Sequence, residues 1–224
     1  MQNQPTPVVN PLPLATILLV LPMVAAEIYF VGASAHLWGS EATRFETLSL
    51  GAYSSALFEQ AWALGQVDGR VLARFVVYPF FHTAFLSAAF GVVLTLALSK
   101  FVAEVLGSAI AMAIFFTTTI TSALFYGLIM PNDVVLYGAH TGFFGLIGSY
   151  SFILFSVSGG VTQQKLRAFQ LLGFLLAINV VFSLLYGGSE WVAELFAALF
   201  GFFLTALLRP GGLAVVLHNL RKRR

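Results

Sequence analysis

Cysteine is absent from this chain of 224 residues, so a disulfide framework, an iron–sulfur cluster and a thiol nucleophile are excluded. Charge is scarce too, since only 9% of the residues are charged, whereas a soluble domain carries about a quarter. Apolar bulk takes its place, with 59% hydrophobic residues and 23 phenylalanines. A protein of this composition is solvated mainly by lipid, and we expect an integral membrane protein.

Six apolar stretches are long enough to cross a bilayer, which takes roughly 20 residues of helix. They predict an all-α bundle of six transmembrane helices, in which Lys100 marks the exit of the second. Turn signals at 131–133 and 159–160 bound the fourth span. The first span lacks the basic leader of a secretory signal, so we expect it to be retained. The approximate spans are residues 14–35, 75–99, 105–130, 137–157, 168–186 and 189–208.

The segment between the first two spans, residues 36–74, is too polar to cross a membrane and too apolar to leave it. It combines charged residues with Trp38, Tyr53 and Trp62, whose side chains suit the headgroup region. We expect short helices that lie in the membrane interface. Residues 1–208 would form one domain. The basic tail, 209–224, would bind anionic lipids rather than nucleic acid.

Basic residues are distributed unevenly over the two sides of this topology. Eight lie on the side of both termini and three on the other. Because lysine and arginine are enriched in cytoplasmic loops, we expect both termini in the cytoplasm and a multi-pass protein of a bacterial inner membrane. The eight are Lys100, Lys165, Arg167, Arg209, Arg221, Lys222, Arg223 and Arg224, and the three are Arg44, Arg70 and Arg74.

The fourth span begins with YGAHTGFFGLIGSY, residues 137–150, in which glycines recur every three or four residues around His140. Small residues at such intervals let helix backbones approach closely, so we expect this helix at the centre of the bundle. Ala197 and Gly201 offer a similarly narrow face on the sixth span. The glycines are Gly138, Gly142, Gly145 and Gly148.

Three motifs, in this order within six spans, resemble those of the rhomboid family of intramembrane serine proteases. RFVVYPFFH holds Arg74 and His82, similar to the arginine and first histidine that open the family's second helix. GAHTGFFGLIG, residues 138–148, resembles the family pattern GxSGxxxGxxG, and residues 194–201 stand where the sixth helix has HxxGxxxG. The resemblance covers residues 36–205 and implies a rhomboid-like bundle of six helices.

The departures from the family concern the positions that carry its chemistry. In rhomboids a serine on the fourth helix attacks the peptide carbonyl, a histidine on the sixth takes its proton, and two second-helix side chains stabilise the oxyanion. Here the serine and the following glycine are His140 and Thr141, the histidine is Glu194, and the oxyanion positions read Ser87 and Gly91. A hydroxyl without a base is a poor nucleophile. The resemblance therefore implies a pseudoprotease with no catalytic residue.

His140 and Glu194 form the sharpest candidate pair, because a working dyad would have to meet at these positions. We expect a direct or water-bridged contact between them; the alternative is that each reaches outward or binds water separately. His82 is expected to be a structural histidine bonded to the 36–74 segment, with a metal or haem site shared with His140 as the alternative. Arg74 is expected to bind backbone carbonyls of that segment or lipid phosphates.

The function that the resemblance implies is binding of a transmembrane client or partner helix, without cleavage, at a lateral opening beside helices two and five. An accessory subunit of a larger respiratory or photosynthetic complex is a second possibility. An enzyme with chemistry rebuilt on His140 and Glu194 is a third. We expect membrane lipids and a transmembrane protein as partners, and no cofactor, metal or nucleic acid.

Overall fold

The computed structural model describes residues 11–130, 134–158 and 162–210 and shows an all-α protein, as the sequence predicts. The turns predicted at 131–133 and 159–160, and the tail beyond residue 210, lie outside these ranges. Two short strands and one 3₁₀ turn accompany the helices: β1 (Tyr53–Ser54), β2 (Val135–Leu136) and Tyr78–Phe80. The helices are α1 (Leu14–Ser34), α2 (Thr43–Gly51), α3 (Ser55–Ala63), α4 (Gly69–Val77), α5 (Phe85–Leu106), α6 (Ser108–Ile129), α7 (His140–Val157), α8 (Thr162–Ala168), α9 (Gln170–Tyr186) and α10 (Glu190–Leu208).

Five of these helices, α1, α5, α6, α7 and α10, are long and apolar enough to cross a membrane. The multi-pass membrane bundle is thereby confirmed. The predicted fifth span, 168–186, corresponds to α9, which is apolar but only 17 residues long. That length gives about 26 Å of helix, slightly less than a hydrocarbon core of about 30 Å.

α9 nevertheless runs the height of the bundle. The ring of Phe169, just before the helix, lies 6.1 Å from that of Phe155 near the end of α7 and 5.7 Å from that of Phe202 in α10. At the other end, Gly187 and Gly188 adopt positive φ and lead into the start of α10. α9 therefore connects the two ends of the bundle, as a sixth crossing would.

The predicted second span, 75–99, begins ten residues too early. Residues up to Val77 belong to α4, a separate helix capped by the side chain of Asp68. Pro79 in the following 3₁₀ turn has no amide N–H to donate and prevents the helix from continuing. The transmembrane helix α5 therefore begins only at Phe85.

The end of α5 also differs from the prediction. Lys100 lies inside the helix, where its Nζ is 3.5 Å from Glu104 Oε1, and does not mark the exit. The helix continues to Leu106 and ends because Gly107 follows with a φ of 95°, a conformation that favours glycine.

The segment between α1 and α5 folds as the short helices α2 to α4, as the sequence predicts. Strand β1 was not predicted; it pairs antiparallel with β2, so that Tyr53 lies opposite Leu136. The Ser55 amide donates to the Val134 carbonyl, and the Val134 amide donates back to Ser55 Oγ, both at 3.0 Å. These bonds tie the segment to the chain that leads into α7.

α7 lies at the centre of the bundle. The buried share of its span is 61%, compared with 33–39% for the other four spanning helices. A Cβ on Gly148 would stand 2.0 Å from the carbonyl oxygen of Ala198 in α10, and one on Gly201 would stand 2.0 Å from that of Gly145. The backbones of α7 and α10 are therefore in direct contact, which only small residues permit.

The remaining small residues of this region also face neighbouring helices. Gly142 packs against the ring of Phe115 in α6, and Gly145 against Thr118 of the same helix. Ala197 is completely buried on α10. The glycine spacing thus allows close contacts on two sides of α7, with α6 on one side and α10 on the other. These contacts hold α7 in place.

Candidate functional site

Backbone hydrogen bonds hold the N-terminal end of α7 against the 3₁₀ turn. The Gly138 amide donates to the carbonyls of Tyr78 (3.0 Å) and Phe81 (2.8 Å). Gly138 has a φ of 76°, and a Cβ there would approach the rings of His82 and His140 to 3.1 and 3.2 Å, so this position requires glycine. The turn, His82 and the first residues of α7 therefore form one fixed group.

His140, the first residue of α7, and Glu194 of α10 lie in direct contact. His140 Nδ1 is 3.3 Å from Glu194 Oε1, which is within ion-pair distance, although the geometry is not that of a hydrogen bond. The side chain of His140 is 38% exposed and that of Glu194 is 4% exposed. Of the two arrangements expected from the sequence, the structure therefore has the contact.

The hydroxyl of Thr141 is engaged with Tyr78. Thr141 Oγ1 lies 2.5 Å from Tyr78 Oη, which in turn donates to the Thr119 carbonyl at 3.1 Å. Because a phenol has one proton and a carbonyl can only accept, the threonine hydroxyl is the donor to tyrosine. Burial raises the pKa of the Tyr78 phenol, which therefore keeps its proton.

His82 is buried. The sequence predicts that its side chain is bonded to the 36–74 segment, but the imidazole instead contacts the residue just before α7. The Ala139 amide donates to His82 Nε2 at 3.2 Å. Burial, with smaller contributions from His140 and Arg44, lowers the pKa of His82 to about 4. The ring is therefore neutral at neutral pH. The link to the 36–74 segment runs through the carbonyl of His82, which accepts from Arg44 Nη1 at 2.9 Å.

The two positions that the resemblance assigns to oxyanion stabilisation, Ser87 and Gly91, lie in the first two turns of α5. A Cβ on Gly91 would stand 2.5 Å from His82 Nε2, so a larger side chain fits there only if the imidazole moves. Neither position carries an amide or an imidazole side chain that could donate to an oxyanion.

A buried ion pair between α1 and α2 is a part of this region that the sequence did not reveal. Arg44 donates to both carboxylate oxygens of Glu27, at 3.0 and 2.5 Å, and its guanidinium lies 4.6 Å from the centre of the Phe30 ring. Glu27 is 8% exposed. An acidic residue inside an apolar span implies a partner, but no local signal identified Arg44.

Arg74 lies on α4 and not at the start of α5. Its Nη1 donates to the carbonyls of Ser49 (3.1 Å) and Ala52 (2.7 Å). Of the two structural roles expected for this arginine, the structure has the binding of backbone carbonyls. These bonds hold the end of α2 against α4.

A cavity of about 210 Å³ lies beside the first turn of α7, bounded by α9, α10 and β2. Within the described ranges, no group of three histidine, aspartate or glutamate side chains is close enough to hold a metal ion, so the alternative of a metal shared by His82 and His140 has no ligand set there. The polar residues of the cavity wall are Tyr78, Tyr137, His140, Thr141, Asn179, Glu190 and Glu194.

A family model described as a rhomboid domain matches residues 69–211, well over half of the chain. The chain belongs to the rhomboid family. The match to this rhomboid domain runs from α4 through α10 and includes the site residues of α5, α7 and α10. Glu27 and Arg44 lie before it. A search of curated proteins finds no match.

In this rhomboid, the alignment of His140 and Glu194 with the family motifs is consistent with the distance between their side chains. The resemblance places the family's serine at position 140 and its histidine at position 194, and Nδ1 of His140 lies 3.3 Å from Oε1 of Glu194. Dyad residues must come within hydrogen-bond reach of each other. The two side chains are in contact at ion-pair distance without a hydrogen bond, and an imidazole and a carboxylate stand where the resemblance has a hydroxyl and an imidazole.

Proposed function

We propose that this rhomboid-family protein binds a transmembrane client or partner helix without cleaving it. The observation that carries the proposal is the contact of His140 with Glu194 at the positions of the family's serine and histidine. The adjacent hydroxyl, on Thr141, donates to the buried Tyr78 and has no imidazole among the described residues to accept its proton. Acyl transfer requires a nucleophile and a base in contact.

The oxyanion positions support the same conclusion. Removing one oxyanion donor costs roughly 10²- to 10³-fold in rate, and neither Ser87 nor Gly91 replaces the family's donors with an amide or imidazole. Where the resemblance places the family's nucleophile, base and two oxyanion side chains, this chain has His140, Glu194, Ser87 and Gly91, which supports the proposal. Any binding energy that the site provides is available for holding a segment and not for cutting it.

The side of the bundle that holds α5 and α9 is the proposed client surface. No residue of α9 is buried, and its C-terminal half exposes large apolar side chains such as Phe182. α5 exposes Phe85 and Phe90 near its N-terminal end. α9 borders the cavity through Asn179 and leads to Glu190, and α5 follows His82, whose imidazole accepts from the Ala139 amide at the start of α7. Apolar faces that flank a polar cavity suit a helix with an apolar body and one polar group.

Photo-crosslinking in native membranes tests this surface. A photoreactive amino acid at Phe182 or Phe90 is expected to capture a discrete protein, which mass spectrometry identifies. Leu21 on α1, which is 64% exposed, is the matched control site and should capture none. Crosslinks to lipid alone at all three sites would contradict the proposal. If one partner were captured at every site and stayed bound in mild detergent in an amount equal to that of this protein, the result would instead indicate an accessory subunit.

We also infer a bacterial inner-membrane location with both termini in the cytoplasm, supported by the eight-to-three distribution of basic residues. Leu50→Cys on α2, where the native side chain is 74% exposed, should react with an impermeant thiol reagent in intact cells. Gln163→Cys on α8 should react only after permeabilisation. The chain has no cysteine, so the unsubstituted protein itself is not labelled. The opposite labelling pattern would contradict the orientation.

A further inference from the structure

Glu194 carries a buried oxygen without a hydrogen-bond donor in the described part of the chain. Its side chain is 4% exposed and lines the cavity. Oε1 faces His140 Nδ1, whereas Oε2 has no hydrogen-bond partner among the described residues. A buried polar group left without a hydrogen bond is destabilising, and a charged one is more so. The oxygen is therefore placed to receive a donor from another molecule.

A second carboxylate lies at the mouth of the same cavity. Glu190 precedes Glu194 by four residues, so both side chains project from one face of α10, and both line the cavity with His140. Glu190 is exposed and Glu194 is buried, so negative charge extends from the mouth inwards. No lysine or arginine is among the described residues of the cavity wall. These features favour a positively charged ligand.

The arrangement suits an ammonium group better than a metal ion or a guanidinium. A metal ion lacks a set of three close ligands within the described ranges. A guanidinium binds a carboxylate best through both oxygens, but Oε1 of Glu194 already faces His140. An ammonium is a compact charge with three donors. It can donate to Oε2 of Glu194 and to an oxygen of Glu190.

We propose that this cavity binds the ammonium group of a lysine side chain on the transmembrane client. The inference rests on the proposed function and names the group of the client that is recognised. A lysine within a membrane span is costly unless it is paired, and a buried carboxylate oxygen without a hydrogen-bond donor, such as Oε2 of Glu194, is costly too. Their contact relieves both penalties. The apolar stem of lysine can lie along the exposed apolar face of α9.

The test uses the full chain in phosphatidylcholine nanodiscs and two synthetic transmembrane peptides. Both are leucine–alanine helices of about 20 residues; one carries a single lysine near its end, and the other has norleucine at that position. Energy transfer between fluorophores on protein and peptide measures binding. We expect the lysine peptide to bind about tenfold more tightly. Glu194→Gln should abolish the preference and Glu190→Gln should reduce it, whereas Glu46→Gln on α2 should leave it unchanged.

n-Butylammonium separates the ammonium site from the binding of a helix. Its titration should shift the imidazole resonances of His140 in the wild type but not in Glu194→Gln, and 1-butanol should shift neither. Equal binding of both peptides, without a butylammonium shift, would overturn the lysine site and leave client binding intact. A butylammonium shift without binding of either peptide would overturn client binding and restrict the site to free ammonium compounds. No response to any probe would overturn both proposals.

Discussion

α7 and α9 are neighbours in the same bundle, and they are packed in opposite ways. α7 is 61% buried over its span, and its backbone touches that of α10 at Gly148 and Gly201. α9 has no buried residue, and Tyr186 near its end is 79% exposed. Both helices border the cavity. The fixed part of the site is thus held by one helix, while the other closes the cavity with little packing of its own.

The difference indicates where the molecule is rigid and where it can move. Regions with few buried apolar contacts open at low free energy, whereas densely packed elements open only with global unfolding. We therefore expect α9 to move relative to α10 without disturbing the contact of His140 with Glu194. An opening of this kind would admit a client helix while the site keeps its geometry.

The largest effect is expected on the rigid side, at the ion pair of Arg44 with Glu27. Arg44→Ala leaves the buried carboxylate of Glu27 uncompensated and removes the donor to the His82 carbonyl. Loss of one partner of a buried pair costs about 3–5 kcal/mol. Thermal or denaturant unfolding in detergent should show this loss. Arg70→Ala, at an exposed arginine of α4, is the matched control; an equal loss there would contradict the proposed role of the pair.

Gly201→Ala should destabilise the protein by about 1–3 kcal/mol, because overpacking of a well-packed contact costs this amount. The added Cβ would stand 2.0 Å from the Gly145 carbonyl oxygen. Gly173→Ala in α9 is the matched control, since a Cβ there meets nothing within 4 Å. Alanine is the better helix former, so the control should be neutral or slightly stabilising in the same unfolding assay. If both variants lost the same stability, the contrast between α7 and α9 would fail.

Mild acid should destabilise the rigid side through His82. Its pKa is about 4 in the folded protein against about 6.5 in the unfolded chain, so the unfolded state binds the proton more readily. The contribution to stability is complete above pH 6.5 and declines as the pH falls towards 4. At about pH 5.5 the expected loss is about 1 kcal/mol.

Unfolding curves at several pH values measure this dependence. His82→Gln keeps an acceptor for the Ala139 amide but does not titrate, so its stability should change less between pH 7 and 5. His36→Asn removes an exposed histidine and should retain the wild-type dependence. A His82→Gln protein with the full wild-type slope would show that other groups cause the acid sensitivity.

The smallest effect is expected on α9. Phe182→Ala removes a side chain that is 54% exposed, and substitutions of exposed residues usually change stability by less than about 0.5 kcal/mol. Phe144→Ala in α7 removes a completely buried ring and should cost about 3–5 kcal/mol. Unfolding of the two variants under one condition compares the helices directly. A loss of more than 1 kcal/mol for Phe182→Ala would show that α9 is packed more tightly than its exposure indicates.

The parts of the molecule that the sequence predicts well are those with a repeating local pattern. Long apolar runs located five of the six predicted spans within three residues of their helices, α5 being the exception, and the glycine spacing placed α7 at the centre of the bundle. The family register led us to expect that His140 and Glu194 meet. Each of these inferences needs only positions within one helix, or two helices aligned with a known pattern.

The parts that the sequence did not predict depend on contacts between distant residues. The bond between Tyr78 and Thr141 joins residues 63 positions apart, and strands of two residues are too short to show alternation. The start of α5 was misplaced because the run around Pro79 is apolar throughout, so hydrophobicity alone did not reveal the break. Side-chain direction decided the partner of His82, and a sequence does not give that direction.

The central claim, that this rhomboid holds a transmembrane segment without cutting it, is tested most directly by a cleavage assay in reconstituted membranes. The purified protein is incubated with a permissive transmembrane substrate, with an active rhomboid as the positive control and empty membranes as the negative one. We predict no product above the empty membranes. A product that is lost in His140→Ala or Thr141→Ala would contradict the claim.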